Sequence, residues 1–215
     1  MALAVTPDGT SAQLIRSAAT TVLWRMGVNG AEVLMGQRGK QAAFMPSKYV
    51  FPGGAIDASD ADLGAKVALH PLSAARLQLF CAQDAPLPQT IANAALRELW
   101  EETGLHLATP KDTDDGLRFI FRAITPPGRS RRFDARFLMA NADWITGNPD
   151  DFSGASDELS HLHWIGVKNA RALDLPFITE VVLAEISYLL AGGSAAEGVP
   201  FFDNSGPVPT FRRLV

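Results

Sequence analysis

A chain of 215 residues with a formal charge of −4 is long enough for one full-sized core and has no overall electrostatic bias toward nucleic acid. Its 47% hydrophobic and 20% charged residues are ordinary for a globular chain, and a single cysteine, Cys81, excludes an internal disulfide and fits a reducing compartment. No run approaches the roughly 20 apolar residues of a membrane-spanning helix, and the start lacks a basic region followed by an apolar one. A cytoplasmic chain with no membrane partner and no nucleic-acid partner is therefore expected.

Residues 1–16 read as a loose arm. Two short strands are expected over 18–24 and 32–35, around the turn Val28-Asn29-Gly30, and a third apolar run, 49–51, is stopped by Pro52-Gly53-Gly54. From 58 to 88 the chain becomes Ala- and Leu-rich, with short helices expected near 60–69 and 73–83. A helix follows over about 90–103, with Gly104 where a left-handed C-terminal cap belongs. Segments 117–124 and 132–140 read as a hairpin around Pro126-Pro127-Gly128-Arg129, and 161–167 as another strand. Pro176 opens an amphipathic helix reaching about residue 190, and the Pro- and Gly-punctuated tail 197–215 is expected to be irregular. Strands first, a mid-chain helix, more strands and a last helix make an α+β pattern.

The chemistry concentrates in Arg97-Glu98-Leu99-Trp100-Glu101-Glu102-Thr103-Gly104-Leu105. At about 100° per residue, Glu98, Glu101 and Glu102 fall within an arc of roughly 100°. Ala92, Leu96, Leu99, Trp100 and Thr103 take the other side, so Trp100, like Trp24, Met35 and Met45, reads as core. Glu98 and Glu102 repel at i,i+4, which costs about 0.2–0.5 kcal/mol in an isolated helix. The acids also occupy the last turn, where the helix dipole disfavours them. A solvated face with one Arg97–Glu101 pair would explain such a run on an arbitrary helix. Carboxylates gathered at the unfavourable helix end point instead to a cation, and hard oxygen donors suit Mg²⁺ or Mn²⁺.

This segment resembles the second half of the Nudix box, G-x5-E-x7-R-E-U-x-E-E-x-G-U with U aliphatic, at every specified position. The first half begins at Gly54, preceded by Phe51-Pro52-Gly53. Arg97 follows Gly54 by 43 positions where the pattern allows 14, so 29 extra residues interrupt the box and its first glutamate is missing from the usual place. Asp60, six residues after Gly54, and Gln89, eight before Arg97, are the candidates for that location; Asp60 is chosen because it keeps a carboxylate. The interrupted box, with the approach from Phe44 to Gly54, is similar to the acyl-coenzyme A diphosphatase branch.

The resemblance implies a Nudix-type α/β/α sandwich with a mixed sheet and a helical insertion over 58–88, in a single domain covering 1–215. It implies a hydrolase that cleaves a P–O–P linkage in a small nucleoside diphosphate derivative, coenzyme A or an acyl-coenzyme A among them, with Mg²⁺ or Mn²⁺ as cofactor. Glu98, Glu101, Glu102 and the Gly53 carbonyl would be metal ligands. Glu98 or another nearby carboxylate would activate water, Arg97 would position Glu98, and Glu158 is the candidate for an additional catalytic acid from a later loop. Gly54, Arg38, Arg131 and Arg132 are the substrate-binding candidates, within a wider set that includes Arg129 and Arg136. The resemblance also allows a homodimer. A ligand sensor of the same fold without turnover is the alternative, and the intact acidic set argues against it. His161, His163 and Cys81 are expected to be structural, Cys81 because no basic residue adjoins it in sequence. The insertion is expected to cap the cleft, bind an acyl chain or line a dimer interface.

Overall fold

The computed structural model describes residues 13–64, 68–108 and 116–215. Its centre is a nine-stranded mixed sheet built on the long first strand, β1 (Ile15–Gly27). One flank of β1 pairs antiparallel with β2 (Gly30–Arg38) and with the short β4 (Gly53–Ala55), and β2 in turn pairs with β3 (Tyr49–Val50) and β9 (Leu159–Gly166). The other flank runs parallel to β7 (Arg132–Asn141), whose hairpin partner is β6 (Arg118–Ile124). Beyond β6 lies a C-terminal hairpin, β10 (Val199–Asp203) and β11 (Thr210–Leu214). A small two-stranded sheet, β5 (His106–Leu107) with β8 (Ile145–Thr146), stands apart.

Each face of the sheet is covered by a helix, because β1 is buried on both sides. Ala19 and Leu23 point to the layer holding α2 (Pro88–Thr103), where they meet Ile91, Ala95 and Leu99. Val22, Val33 and Met35 point to the layer holding α4 (Phe177–Leu190), against Val182, Leu183 and Ile186. This period-2 division of one strand between two helices makes the α/β/α sandwich. Helix α2 is bounded as the sequence implies: Pro88 opens it, and Gly104 closes it at φ 75° with its N–H donated to the Trp100 carbonyl.

Several expectations need correction. The tail is not irregular: Phe201 and Leu214 are buried in the main core, and Gly198 makes the turn into β10 at φ 94°. Proline and glycine there mark strand ends, since Pro200 precedes the two positions, Phe201 and Phe202, that pair with β6. The helix expected near 60–69 is a single 3-10 turn, Ala58–Ala61; residues 65–67 lie outside the described ones. The helix expected over 73–83 is the short α1 (Pro71–Arg76). This inserted segment shares the core of the sheet: Leu77 is buried within it, Phe119 N–H donates to Ser73 Oγ, and Arg122 donates to the carbonyls of Leu79 and Phe80. Trp100 is half exposed and stacks on His106, because the apolar arc of α2 is narrower than its composition suggests.

Three further helical pieces complete the described residues, α3 (Val167–Ala170) and the 3-10 turns at Ala142–Trp144 and Ala195–Glu197. No helix is long and apolar enough to cross a membrane.

Candidate active site

Two carboxylates of α2, Glu98 and Glu101, line a cleft of about 630 Å³ between the α4 face of the sheet and the end of α2, while Glu102 is buried and outside that lining. Its acidic wall is placed by backbone. β4 pairs with β1, setting Gly53 opposite Thr20 and Gly54 opposite Ala19, and the last turns of α2 lie across this junction. The Gly53 N–H donates to Glu102 Oε2 at 2.7 Å. A Cβ on Gly53 would fall 2.6 Å from the Ala19 carbonyl oxygen, and one on Gly54 would fall 2.5 Å from the Glu98 carboxylate. Gly53 is therefore required by close approach of the backbone, whereas at Gly54 a side chain would displace the Glu98 carboxylate.

Arg97 is the hub. Its Nε and Nη2 make a two-pronged contact with Asp60 at 2.9 and 3.1 Å, Nη1 donates to Glu98 Oε1 at 2.9 Å and Glu101 Oε2 at 3.0 Å, and Nη2 also reaches the Ala55 carbonyl. Asp60 is fully buried and additionally accepts the Asp57 N–H. Of the two candidates Asp60 and Gln89, Asp60 is the one the fold brings to Arg97, across 37 residues of sequence. Gln89 turns instead to Asn93. These charge-assisted bonds hold Arg97 firmly protonated, Asp60 being the largest cause, and fix one oxygen of Glu98.

Glu102 is buried, not exposed as a solvated helix face would have it. Burial pushes its carboxyl up to about 8, opposed by the Gly53 N–H and the Arg38 charge and reinforced by the charges of Glu98 and Glu158. Glu98 is also raised, first by burial, against the pull of Arg97, with Glu101 and Glu158 adding repulsion. Four carboxylates, Glu98, Glu101, Glu102 and Glu158, thus act on one another, with Arg97 and Arg38 as the cations that offset them. Arg38 lines the cleft, and its Nε is buried with no partner among the described residues. Glu158 is delivered by a loop tied to α2: Ser156 N–H donates to the Glu101 carbonyl, and Gly104 packs on Gly154 so closely that a Cβ would lie 2.8 Å from its Cα.

Among the described residues no three acidic, histidine or cysteine side chains converge on one point, since Arg97 draws Glu98 and Glu101 toward itself. The donor set nonetheless fits a hard divalent ion. Glu98 and Glu101 line the cleft and Glu102 is buried against Gly53; burial and neighbouring carboxylates raise Glu98 and Glu102, which a bound cation would relieve.

The structure separates the arginine candidates. Arg38 and Arg131 line the cleft, as do Arg16 and Arg129. Arg132 does not: it is buried and spends its guanidinium on the carbonyls of Thr125 and Asn204, joining the hairpin to β10. Arg136 is also removed from the cleft, fully buried in an ion pair with Asp134 that Arg122 shares. Cys81 is not without a basic neighbour, since Arg136 Nη2 lies 3.8 Å from its Sγ. Met45 lines the cleft rather than the core. His161 and His163 stay on β9, outside the cleft lining. The far wall, with Phe177 and Ile178 of α4 and Phe202 and Asn204 of the C-terminal hairpin, escaped sequence reasoning because those segments carry no motif.

No protein-family model matches the chain. Over 99 residues it is 35% identical to the acyl-coenzyme A diphosphatase NUDT19 of Gallus gallus, a stretch covering 37% of this chain and about a quarter, 26%, of that protein. Among solved structures, the NUDIX hydrolase from Alicyclobacillus acidocaldarius superposes with a TM-score of 0.63 at 28% identity, covering 84% of this chain and 93% of that one. The MutT protein from Methanosarcina mazei Go1 reaches 0.52 at 14% identity, over 84% and 98% of the two chains. The NUDIX domain of Shewanella oneidensis NrtR, solved with ADP ribose, reaches 0.50 at 15% identity, over 86% and 93%. The last two show the fold alone.

Proposed function

We propose that this chain, which belongs to the Nudix hydrolase family, hydrolyses a P–O–P linkage in a nucleoside diphosphate derivative with the help of Mg²⁺ or Mn²⁺. The observation that carries the reading is the Asp60–Arg97–Glu98 relay beside buried Glu102, set against two glycines at the acidic end of one cleft.

Glu98, Glu101 and Glu102, with the Gly53 carbonyl, are the groups that would hold the ion. When bound, it would neutralise phosphoryl charge and lower the pKa of water. The chain itself does the positioning. Arg97 occupies Glu98 Oε1 and leaves Oε2 to accept a proton from the attacking water. Burial raises the basicity of Glu98, as a general base working near neutrality requires. Glu158 lies within electrostatic reach and serves as the second acid of the site. Arg38, with an unsatisfied buried donor, grips a phosphoryl oxygen, and Gly54 lets the diphosphate come close to the backbone.

Within this class, coenzyme A or an acyl-coenzyme A is the favoured substrate. Besides its charged residues, the cleft is lined by Phe51, Phe133, Phe137, Phe177, Ile178 and Phe202, available to a long uncharged arm. The name of the Gallus gallus relative supports the same choice. The test is to incubate the protein with Mg²⁺ and coenzyme A, acyl-coenzyme A, ADP-ribose, NADH and nucleoside triphosphates, and to identify the products. Cleavage of the diphosphate, abolished in Glu98→Gln, is expected; release of inorganic phosphate alone, or no product from any member, would overturn the proposal.

A further inference from the structure

The cleft is charged at both ends, and the hydrolytic chemistry uses only one of them. Arg16, Arg129 and Arg131 line the other. All three are exposed, and none has a carboxylate within ion-pairing distance among the described residues, whereas Arg25, Arg97, Arg122, Arg136 and Arg212 all do. Asp57 comes closest in register, because the Ile56 N–H to Ser17 carbonyl bond carries the β4 edge alongside Arg16. Its carboxylate faces Arg97 at 3.9 Å instead.

The spacing follows from the sheet. In the parallel β1–β7 pair, Arg16 lies opposite Phe133, Ala18 opposite Ala135 and Thr20 opposite Phe137, and Thr20 is paired with Gly53 at the acidic end. Alternation puts these residues on the cleft face, and four residues of strand separate Arg16 from Thr20 by about 13 Å. Between these paired positions β1 and β7 carry only the methyl groups of Ala18 and Ala135 on this face, leaving room for a flat body. Arg131 extends the β7 row two positions before Phe133. The hairpin tip that bears Arg129 and Arg131 is tethered: Gln13 Nε2 donates to the carbonyls of Arg129 and Ser130, and Ser130 Oγ donates to the Ala43 carbonyl. The two arginines are thus carried by an anchored turn just beyond the Arg16–Phe133 pair, which lies about 13 Å of strand from the diphosphate position.

We propose, resting on the diphosphate reading above, that Arg129 and Arg131, flanked by Arg16, form a second anion subsite that takes a phosphomonoester borne on the sugar of the bound nucleotide. Planar guanidinium forks match phosphate oxygens two at a time, and a phosphomonoester carries nearly two negative charges at neutral pH. A substrate with a bare ribose leaves this end of the cleft unneutralised.

Binding to the full chain, measured by calorimetry at low salt without turnover, tests this with AMP, adenosine 3′,5′-bisphosphate and adenosine 2′,5′-bisphosphate. At least one bisphosphate is expected to bind about tenfold or more tightly than AMP, the preferred isomer locating the extra phosphate. The Arg129→Ala/Arg131→Ala variant is expected to bring that ratio close to one. Arg118→Ala, which removes an exposed cation from outside this cleft, should keep it. Equal binding of all three nucleotides overturns the proposal. So does a preference that survives the double variant or is lost equally in Arg118→Ala. Turnover plays no part in the readout, so its failure leaves the hydrolytic reading standing. Failure of the diphosphate panel with the preference intact would instead count against hydrolysis.

Discussion

Replacing Asp60 with Asn probes the joint that the interrupted motif leaves to tertiary structure. Asp60 is fully buried and receives three donors: Arg97 Nε at 2.9 Å, Arg97 Nη2 at 3.1 Å and the Asp57 N–H at 2.8 Å. Asparagine is nearly isosteric, but it removes the charge and turns an NH₂ group toward a guanidinium that cannot accept a hydrogen bond. Losing one member of a buried pair costs about 3–5 kcal/mol. Arg97 keeps Glu98, Glu101 and the Ala55 carbonyl and is 17% exposed, so the cost here falls to about 2–3 kcal/mol. With a urea slope of about 1–3 kcal/mol per molar, the unfolding midpoint should fall by about 1 M or more at unchanged slope. Arg97 freed on that side swings toward Glu101, Glu98 loses its alignment, and kcat drops about 100-fold with a smaller change in KM. Asp60→Glu, which keeps the charge but adds a methylene to a filled site, should lose about 1–3 kcal/mol through overpacking. If Asp60→Asn unfolds at the wild-type urea concentration and turns over at the wild-type rate, Asp60 is not the substitute for the missing glutamate.

Three further changes probe other parts of the structure. Glu102, at about 8 in the fold against 4.5 unfolded, binds its proton more tightly when native, so the stability of the metal-free protein should fall as pH rises from about 4.5 to 8 and level off above. Glu102→Gln keeps an acceptor for the Gly53 N–H and should remove that slope while abolishing turnover, as melting curves in EDTA across pH 5–9 would show. Gly54→Ala drives a methyl into the Glu98 carboxylate and should lower kcat about 100-fold with only a small loss of stability, because the end of a side chain can yield; an unaltered rate would mean Glu98 has no fixed place in the chemistry. Phe201→Ala, at a position 1% exposed on β10, should cost about 3–5 kcal/mol in urea unfolding, where an irregular tail would cost almost nothing.

The reach of the linear chain ends where its contacts stop being local. The arc of Glu98, Glu101 and Glu102, the Gly104 cap, the proline start of α2 and the β6–β7 hairpin all rest on neighbours within a few residues, so periodicity and turn chemistry determine them. The pairing of Asp60 with Arg97 spans 37 residues, and spacing alone left Asp60 and Gln89 as alternatives. Burial is a property of packing: β4 and its glycines close over Glu102, and nothing in the helical pattern distinguishes that acid from exposed Glu101. The arginines show the same limit. Arg131 and Arg132 are adjacent in the chain, yet strand alternation sends one to the cleft and the other into the sheet, where carbonyls take its charge. The C-terminal hairpin became strand only because β6 offered it an edge and the core needed Phe201 and Leu214. Tertiary structure therefore decided the far wall of the cleft, since an edge strand forms only beside the sheet that accepts its hydrogen bonds.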